Sequence, residues 1–189
     1  VRKEDAKRAF GIPADHKHLV MMCGSMGCGP IKDLAELLPQ QLPEDALLVI
    51  ICGNNVKLYR SLTKYPLPEN VRVIGFKSRM PLYMDAAELI LTKPGGLSTT
   101  EAAVKGLPMI FIDAVPGCET RNIEFFISNG CADMREEAIK LCDAVCDYLE
   151  IPSKLHKMSQ TLKDEFSGCA AEIIREHIVK DADCVYGRL

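Results

Sequence analysis

Apolar residues along this chain follow two alternating patterns: short unbroken runs, and longer stretches in which they recur every three or four positions. Runs at 18–23, 47–52, 71–75, 88–92 and 108–112 predict strands. The run at 47–52 holds no polar side chain, as expected of a parallel strand covered on both faces. Between the runs, helical spacing predicts helices over 2–10, 31–38, 54–64, 81–87, 97–105 and 119–129, with Asn54 as the N-cap of the third. Residues 131–134 predict a last, short strand, and everything beyond reads as helix: 135–149, 152–166 opened by Pro152, and 169–179. Strands alternating with helices across short links imply one α/β domain. Its centre is a Rossmann-like, doubly wound parallel sheet, and extra helices follow at the C-terminus. Ligands of such sheets bind outside the carboxyl ends of the strands. The loops at 24–30, 52–55, 76–79 and 93–98 are therefore expected along one edge.

Two of those loops carry candidate chemistry. After the first strand, Gly24-Ser25-Met26-Gly27-Cys28-Gly29 places three glycines in six residues before a helix. That is the build of a phosphate cradle, although it is neither GxGxxG nor a P-loop, and a plain tight turn remains the alternative. After the fourth strand, Lys93-Pro94-Gly95-Gly96 leads into a helix at Leu97. Glycines let a ligand approach the backbone, and the first helical turn leaves N–H groups pointing at it. Lys93 adds positive charge, so a phosphorylated guest is expected. Ser98-Thr99-Thr100-Glu101 fits the S-x-x-E capping box, so Ser98 and Glu101 either close the helix's own N–H groups or face a sugar or phosphate. Glu119-Thr120-Arg121-Asn122 opens the next helix, either complementing its dipole or gripping sugar hydroxyls. A Rossmann NAD site wants an acidic residue at the end of the second strand. This chain has Ile51-Cys52-Gly53-Asn54-Asn55 there, which disfavours NAD.

Composition narrows the partners. A net charge of −3 over 189 residues gives no basic footprint for nucleic acid. No apolar run approaches the roughly 20 residues of a membrane span, and no signal peptide is visible, so membrane contact is expected to be peripheral at most. The 9 cysteines form no CxxC pair and read as free thiols in a reducing, cytoplasmic setting. The 4 histidines lack ligand spacing, and His16 and His18 read as a solvated polar turn. Asp181-Ala182-Asp183 resembles a DxD metal motif, but it lies beyond the last predicted helix and reads as a solvated tail. No metal site is expected. The chain opens on Val1 within a charged helical segment and reads as a piece of a longer protein.

The segments GSMGCGP at 24–30, ICGNN at 51–55, VRVIGF at 71–76, TKPGGLSTTEA at 92–102 and PGCETRN at 116–122, in that order and spacing, resemble the C-terminal donor domain of glycosyltransferase family 28. The likeness is strongest to its branch of monogalactosyldiacylglycerol synthases and processive diacylglycerol glucosyltransferases. The resemblance implies the C-terminal half of a GT-B fold, with residues 1–189 forming the UDP-sugar domain and an N-terminal acceptor domain outside this chain. It directs Gly24, Ser25, Met26 and Gly27, with the helix start at Ser98 and Thr99, toward the diphosphate, and puts Gly95, Gly96 and Leu97 in the same UDP-sugar-binding set. Lys93 would offset charge on the departing UDP. The backbone around Phe76 and Lys77 would read the uracil edge, with Met80 in the same binding set. Glu101 would take the ribose hydroxyls, and Cys118, Glu119 and Asn122 would lie at the sugar. Cys118 stands where related lipid enzymes often have Gln, which leaves the hexose open. The donor implied is UDP-glucose or UDP-galactose, the acceptor diacylglycerol, the reaction inverting, and no cofactor is needed. The catalytic base is expected on the missing domain, so this chain alone is not expected to be active. The full-length protein would sit peripherally on the inner face of the membrane. Two alternatives remain: the donor domain of a peptidoglycan-precursor N-acetylglucosaminyltransferase, and a non-catalytic nucleotide-binding module.

Overall fold

The computed structural model describes residues 1–22, 30–114, 117, 119–168 and 170–186, the last six as backbone only. The strands are β1 (Lys17–Met22), β2 (Ala46–Ile51), β3 (Val71–Ile74), β4 (Leu89–Thr92), β5 (Met109–Phe111) and β6 (Ala132–Met134). They form one sheet, parallel throughout, in the order β3-β2-β1-β4-β5-β6. The helices are α1 (Lys3–Ala9), α2 (Ile31–Leu37), α3 (Val56–Leu62), α4 (Met80–Ala86), α5 (Gly96–Val104), α6 (Thr120–Ser128), α7 (Ala138–Glu150), α8 (Pro152–Glu165) and α9 (Ala170–Tyr186). The chain builds outward from β1 to β3 and then returns to lay β4 on the other side of β1. Strand order therefore reverses between β1 and β4, and the crevice at their carboxyl ends is where such sheets take ligands.

Successive residues of each strand point to opposite faces, and both faces are covered. Leu19, Met21, Leu48, Ile50, Leu89, Leu91 and Ile110 pack with Leu34, Leu58, Leu141 and Val145 from α2, α3 and α7. Val20, Val49, Ile51, Ile90, Met109 and Phe111 pack with Met84, Ala102, Phe126, Met158 and Leu162 from α4, α5, α6 and α8. Thus α8 belongs to the core of this domain. The next helix, α9, leaves Ile173, Ile174 and Ile178 at least half exposed. Where α5 ends, Gly106 takes φ +62°, and a Cβ there would lie 2.8 Å from the aliphatic stem of Lys163. Only glycine both turns the chain there and lets α8 lie this close.

Four sequence expectations need correction. The N-cap of α3 is Asn55, whose side chain accepts the Leu58 N–H at 2.9 Å, because the chain makes one further turn after β2 at Gly53, with φ +55°. The α7 helix starts at Ala138 rather than at residue 135. Arg135 is instead ion-paired with Asp133 at the end of β6. Asp181-Ala182-Asp183 lies within α9, which runs on to Tyr186, and not beyond the last helix.

His18 is the fourth. It is no solvated turn residue: β1 begins one residue earlier, and the imidazole is fully buried. Its backbone N–H donates to Glu88 Oε2 at 2.6 Å, and its carbonyl accepts from the Glu88 N–H at 2.8 Å. Neither ring nitrogen has a hydrogen-bond partner among the described residues. Burial pushes the imidazole down from 6.5 to about 4, against the opposing pull of the Ala86 backbone and the Glu88 carboxylate. Beside it, the buried Lys7 ammonium is satisfied by the carbonyls of Ala14 and His16 and by Glu88 Oε1 at 2.9 Å. This network sits at the amino edge of the sheet, opposite the crevice.

Candidate functional site

Because all strands run the same way, the loops that follow β2, β3, β4 and β5 emerge along one edge, as the sequence implied. Gly24, Ser25, Met26 and Gly27 in the loop after β1, and Cys118 before α6, lie outside the described residues. The structure is informative at the loop after β4, which leaves the sheet beside Met22 at the end of β1.

This loop starts from Thr92, whose hydroxyl is fully buried and has no partner among the described residues. The chain then turns at once, the Gly95 N–H donating to the Lys93 carbonyl at 2.8 Å. Gly95 is the N-cap of α5, with extended angles φ −77° and ψ 140°. The Thr99 hydroxyl donates to the Gly95 carbonyl at 2.8 Å and ties down the first turn. Helix thus begins before the Ser-Thr-Thr-Glu run rather than at it. Ser98 is already inside the first turn and Glu101 a turn further on, so the expected capping box does not form. Glu101 is exposed, and its side chain has neither hydrogen bond nor ion pair among the described residues. Leu97 is 83% exposed, Ser98 half-buried and Thr99 buried.

Among the described residues, nothing in the fold requires the glycine pair at the head of α5. Neither Gly95 nor Gly96 has a positive φ. A Cβ on Gly96 would meet no described atom within 4 Å, and one on Gly95 would lie at an ordinary 3.5 Å from Glu119 Oε1. Among the described residues, open space therefore stands over a helix N-terminus. The first-turn N–H groups lack intrahelical acceptors, and the helix dipole is positive at that end, so the place suits an anion.

Two residues from the start of α6 close on the same loop. Glu119 is 7% exposed, and its Oε1 lies 3.0 Å from Lys93 Nζ. The Asn122 side chain donates to the Pro94 carbonyl at 2.7 Å. The sheet brings this about: β5 lies next to β4, Thr92 paired with Phe111, so the helix that follows β5 starts near the loop that follows β4. Lys93, Glu119 and Asn122, expected separately at phosphate and sugar, thus share one cluster. The Pro94 carbonyl and the Thr92 hydroxyl at its base carried no signal in the sequence.

The remaining expected residues share the edge but not this cluster. Phe76 is 65% exposed and Lys77 also exposed, in the loop after β3. Met80 opens α4, half-buried against the core. At the end of β2, burial pushes the Cys52 thiol up to about 11, so at neutral pH it is a packed thiol and not a nucleophile. Among the described residues no three His, Cys, Asp or Glu side chains are grouped to hold a metal, and no helix is long and apolar enough to cross a membrane.

The family model described as "Glycosyltransferase family 28 C-terminal domain" matches residues 18–165. A processive diacylglycerol beta-glucosyltransferase of Bacillus pumilus is 29% identical over 188 residues, covering 98% of this chain and 49% of the relative. A probable chloroplastic monogalactosyldiacylglycerol synthase of Glycine max is 30% identical over 165 residues, covering 84% of this chain and 31% of the relative. Among solved structures, WaaG, a glycosyltransferase involved in lipopolysaccharide biosynthesis, superposes with a TM-score of 0.72 at 19% identity over 98% of this chain and 51% of that one. The chain thus spans about half the length, or less, of the relatives it matches.

Proposed function

Because the chain belongs to the glycosyltransferase family 28 C-terminal domain family, we propose that it binds the donor, a UDP-hexose, for an inverting transfer to a lipid acceptor. Diacylglycerol is the acceptor that the names of the two relatives support, and glucose and galactose are the hexoses they point to. The observation that carries the reading is the head of α5. An open, glycine-lined helix N-terminus stands at the point where strand order reverses, inside the span that the family model matches. There the diphosphate lies against first-turn N–H groups, and Glu101, exposed one turn on, accepts the ribose hydroxyls. Glu119 and Asn122 reach the hexose. The loop around Phe76 and Lys77 flanks the base.

In the transfer, an acceptor hydroxyl oxygen forms the new bond to C1 of the hexose while the bond from C1 to the UDP oxygen breaks. The hydroxyl proton passes to a base, which we place outside this chain. UDP departs with the electron pair, and the α5 N-terminus stabilises the charge developing on it. No metal is required for that role. The whole protein works at a membrane surface, where its acceptor resides.

Thermal unfolding with UDP, with UDP in EDTA, and with NAD tests the reading. Saturation at ~100 times the dissociation constant stabilises a one-site protein by about 2.7 kcal/mol. For a domain of this size that is a rise of roughly 5–10 °C. The expected result is this rise with UDP, unchanged by EDTA, and none with NAD. A rise with NAD alone would overturn the donor assignment, and loss of the UDP effect in EDTA would overturn metal independence.

A further inference from the structure

We propose that Lys93 is a positioning residue for Glu119, and that through it the chain reads the hexose rather than the diphosphate. The inference rests on the UDP-hexose reading above and adds a division of labour within it. By charge alone, a lysine beside a glycine-lined helix start belongs to a phosphate. The geometry points elsewhere. Lys93 Nζ lies 3.0 Å from Glu119 Oε1, with the two side chains 23% and 9% exposed. That places the ammonium on a carboxylate from the next loop, in a partly desolvated pair where the attraction is less screened than at the surface.

Two hydrogen bonds make this pair part of a frame. Asn122 Nδ2 holds the Pro94 carbonyl at 2.7 Å, one residue beyond Lys93. The Gly95 N–H holds the Lys93 carbonyl at 2.8 Å. The Cβ direction of Gly95 points toward Glu119 Oε1, at 3.5 Å. The head of α5 and the head of α6 are therefore joined at Lys93 and at Pro94. Glu119 is the N-cap of α6, yet its side chain makes no capping bond. The carboxylate is not spent on capping its own helix, and Lys93 is the cation that lies on it. A carboxylate held by a cation keeps acceptor sites for hydroxyl donors, and hexoses that differ at one hydroxyl present those donors in different directions. A rigid acceptor distinguishes them and a mobile one does not.

Calorimetric titration of the chain with UDP, UDP-glucose and UDP-galactose tests this, using K93M, K93R, E119Q and the K93M/E119Q double variant. UDP carries no hexose, so its affinity is expected to stay within about twofold in all of them, whereas loss of a charged hydrogen bond is worth roughly ten- to hundredfold. K93M and E119Q are expected to lose that much for the preferred UDP-hexose and to narrow the glucose–galactose difference. K93R keeps the cation but moves its donors, so it falls between wild type and K93M. The double variant is expected to be no worse than the poorer single one, since both remove one coupled contact. Equal losses for UDP and UDP-hexose in K93R and K93M would return Lys93 to the diphosphate and overturn the inference. Multiplying losses in the double variant, or unchanged UDP-hexose affinity in E119Q, would overturn it as well. Binding of UDP with no gain or discrimination from either hexose would do the same while leaving nucleotide binding intact. Failure of the unaltered chain to bind any of the three would overturn the donor reading itself.

Discussion

Replacing Gly96 by Ala separates a glycine kept for a ligand from one kept for the fold. The structure supplies the stability half of the forecast. Gly96 is the first residue of α5, its φ is not positive, and an added Cβ meets no atom of the described residues within 4 Å. The native backbone thus accepts alanine without strain. Substitutions of this kind stabilise by about 0.4–1 kcal/mol, because the unfolded chain loses freedom. For a domain of this length that corresponds to a rise of roughly 1–4 °C. The binding half is opposite in sign. A methyl group over the first-turn N–H groups occupies the space through which a phosphate approaches them. Losing one charged hydrogen bond costs about 1.5–3 kcal/mol, roughly ten- to hundredfold in affinity. Thermal scans without ligand and calorimetry with UDP read the two halves on one sample. A variant that melts slightly higher and binds UDP much more weakly is the expected result. A variant that binds UDP like the parent would show that the space over Gly96 is incidental and that the anion is held elsewhere.

Two further outcomes follow from single residues. Glu101 is exposed and unpaired among the described residues, so E101Q should leave the ligand-free melting point within the effect of an ordinary surface change, about 0.5 kcal/mol, yet weaken UDP binding; a destabilised variant of full affinity would return Glu101 to a purely structural role. His18 is buried with its pKa depressed from 6.5 to about 4, so the unfolded chain binds the extra proton first, and this stability is complete above pH ~6.5 and is lost as pH falls toward 4. The span is about 3 kcal/mol, at ~1.4 kcal/mol per pH unit. Denaturant unfolding at pH 7 and 4.5 should show a smaller decline in H18L than in the parent, and equal declines would refute the assignment.

The fold was largely legible in the sequence. Every strand lies within a few residues of its apolar pattern, and so does every helix but α9, which runs past residue 179 to Tyr186, because a sheet buried on both faces needs unbroken runs such as Ala46–Ile51, and its covering helices need one apolar stripe each. What escaped was decided by single turns. At Asn54 and Asn55 two identical side chains compete for one cap, and only the φ of +55° at Gly53 selects the second. At Ser98 the S-x-x-E spacing imitates a cap that the preceding glycine already supplies. At His18 polar neighbours on the N-terminal side suggest solvent, whereas pairing with Ala46–Ile51 draws the strand's start into the interior.

The site was legible as a set of residue types and illegible as an arrangement, and the Lys93–Glu119 pair shows why. Neither local spacing nor charge pattern links residues that far apart in sequence. Their contact depends on β5 lying beside β4 in parallel, so that two consecutive strand ends deliver their loops to the same place. From the sequence, a lone lysine beside glycines is assigned to the nearest expected anion, the phosphate. In the folded chain the nearest anion is the protein's own carboxylate, 3.0 Å away. A buried carboxylate without that cation would be costly. Under the proposed donor reading, pairing them leaves the α5 backbone to face the diphosphate and makes the two side chains one rigid acceptor. A change at the head of α6 would then alter the sugar preference while the nucleotide end of the crevice stayed as it is.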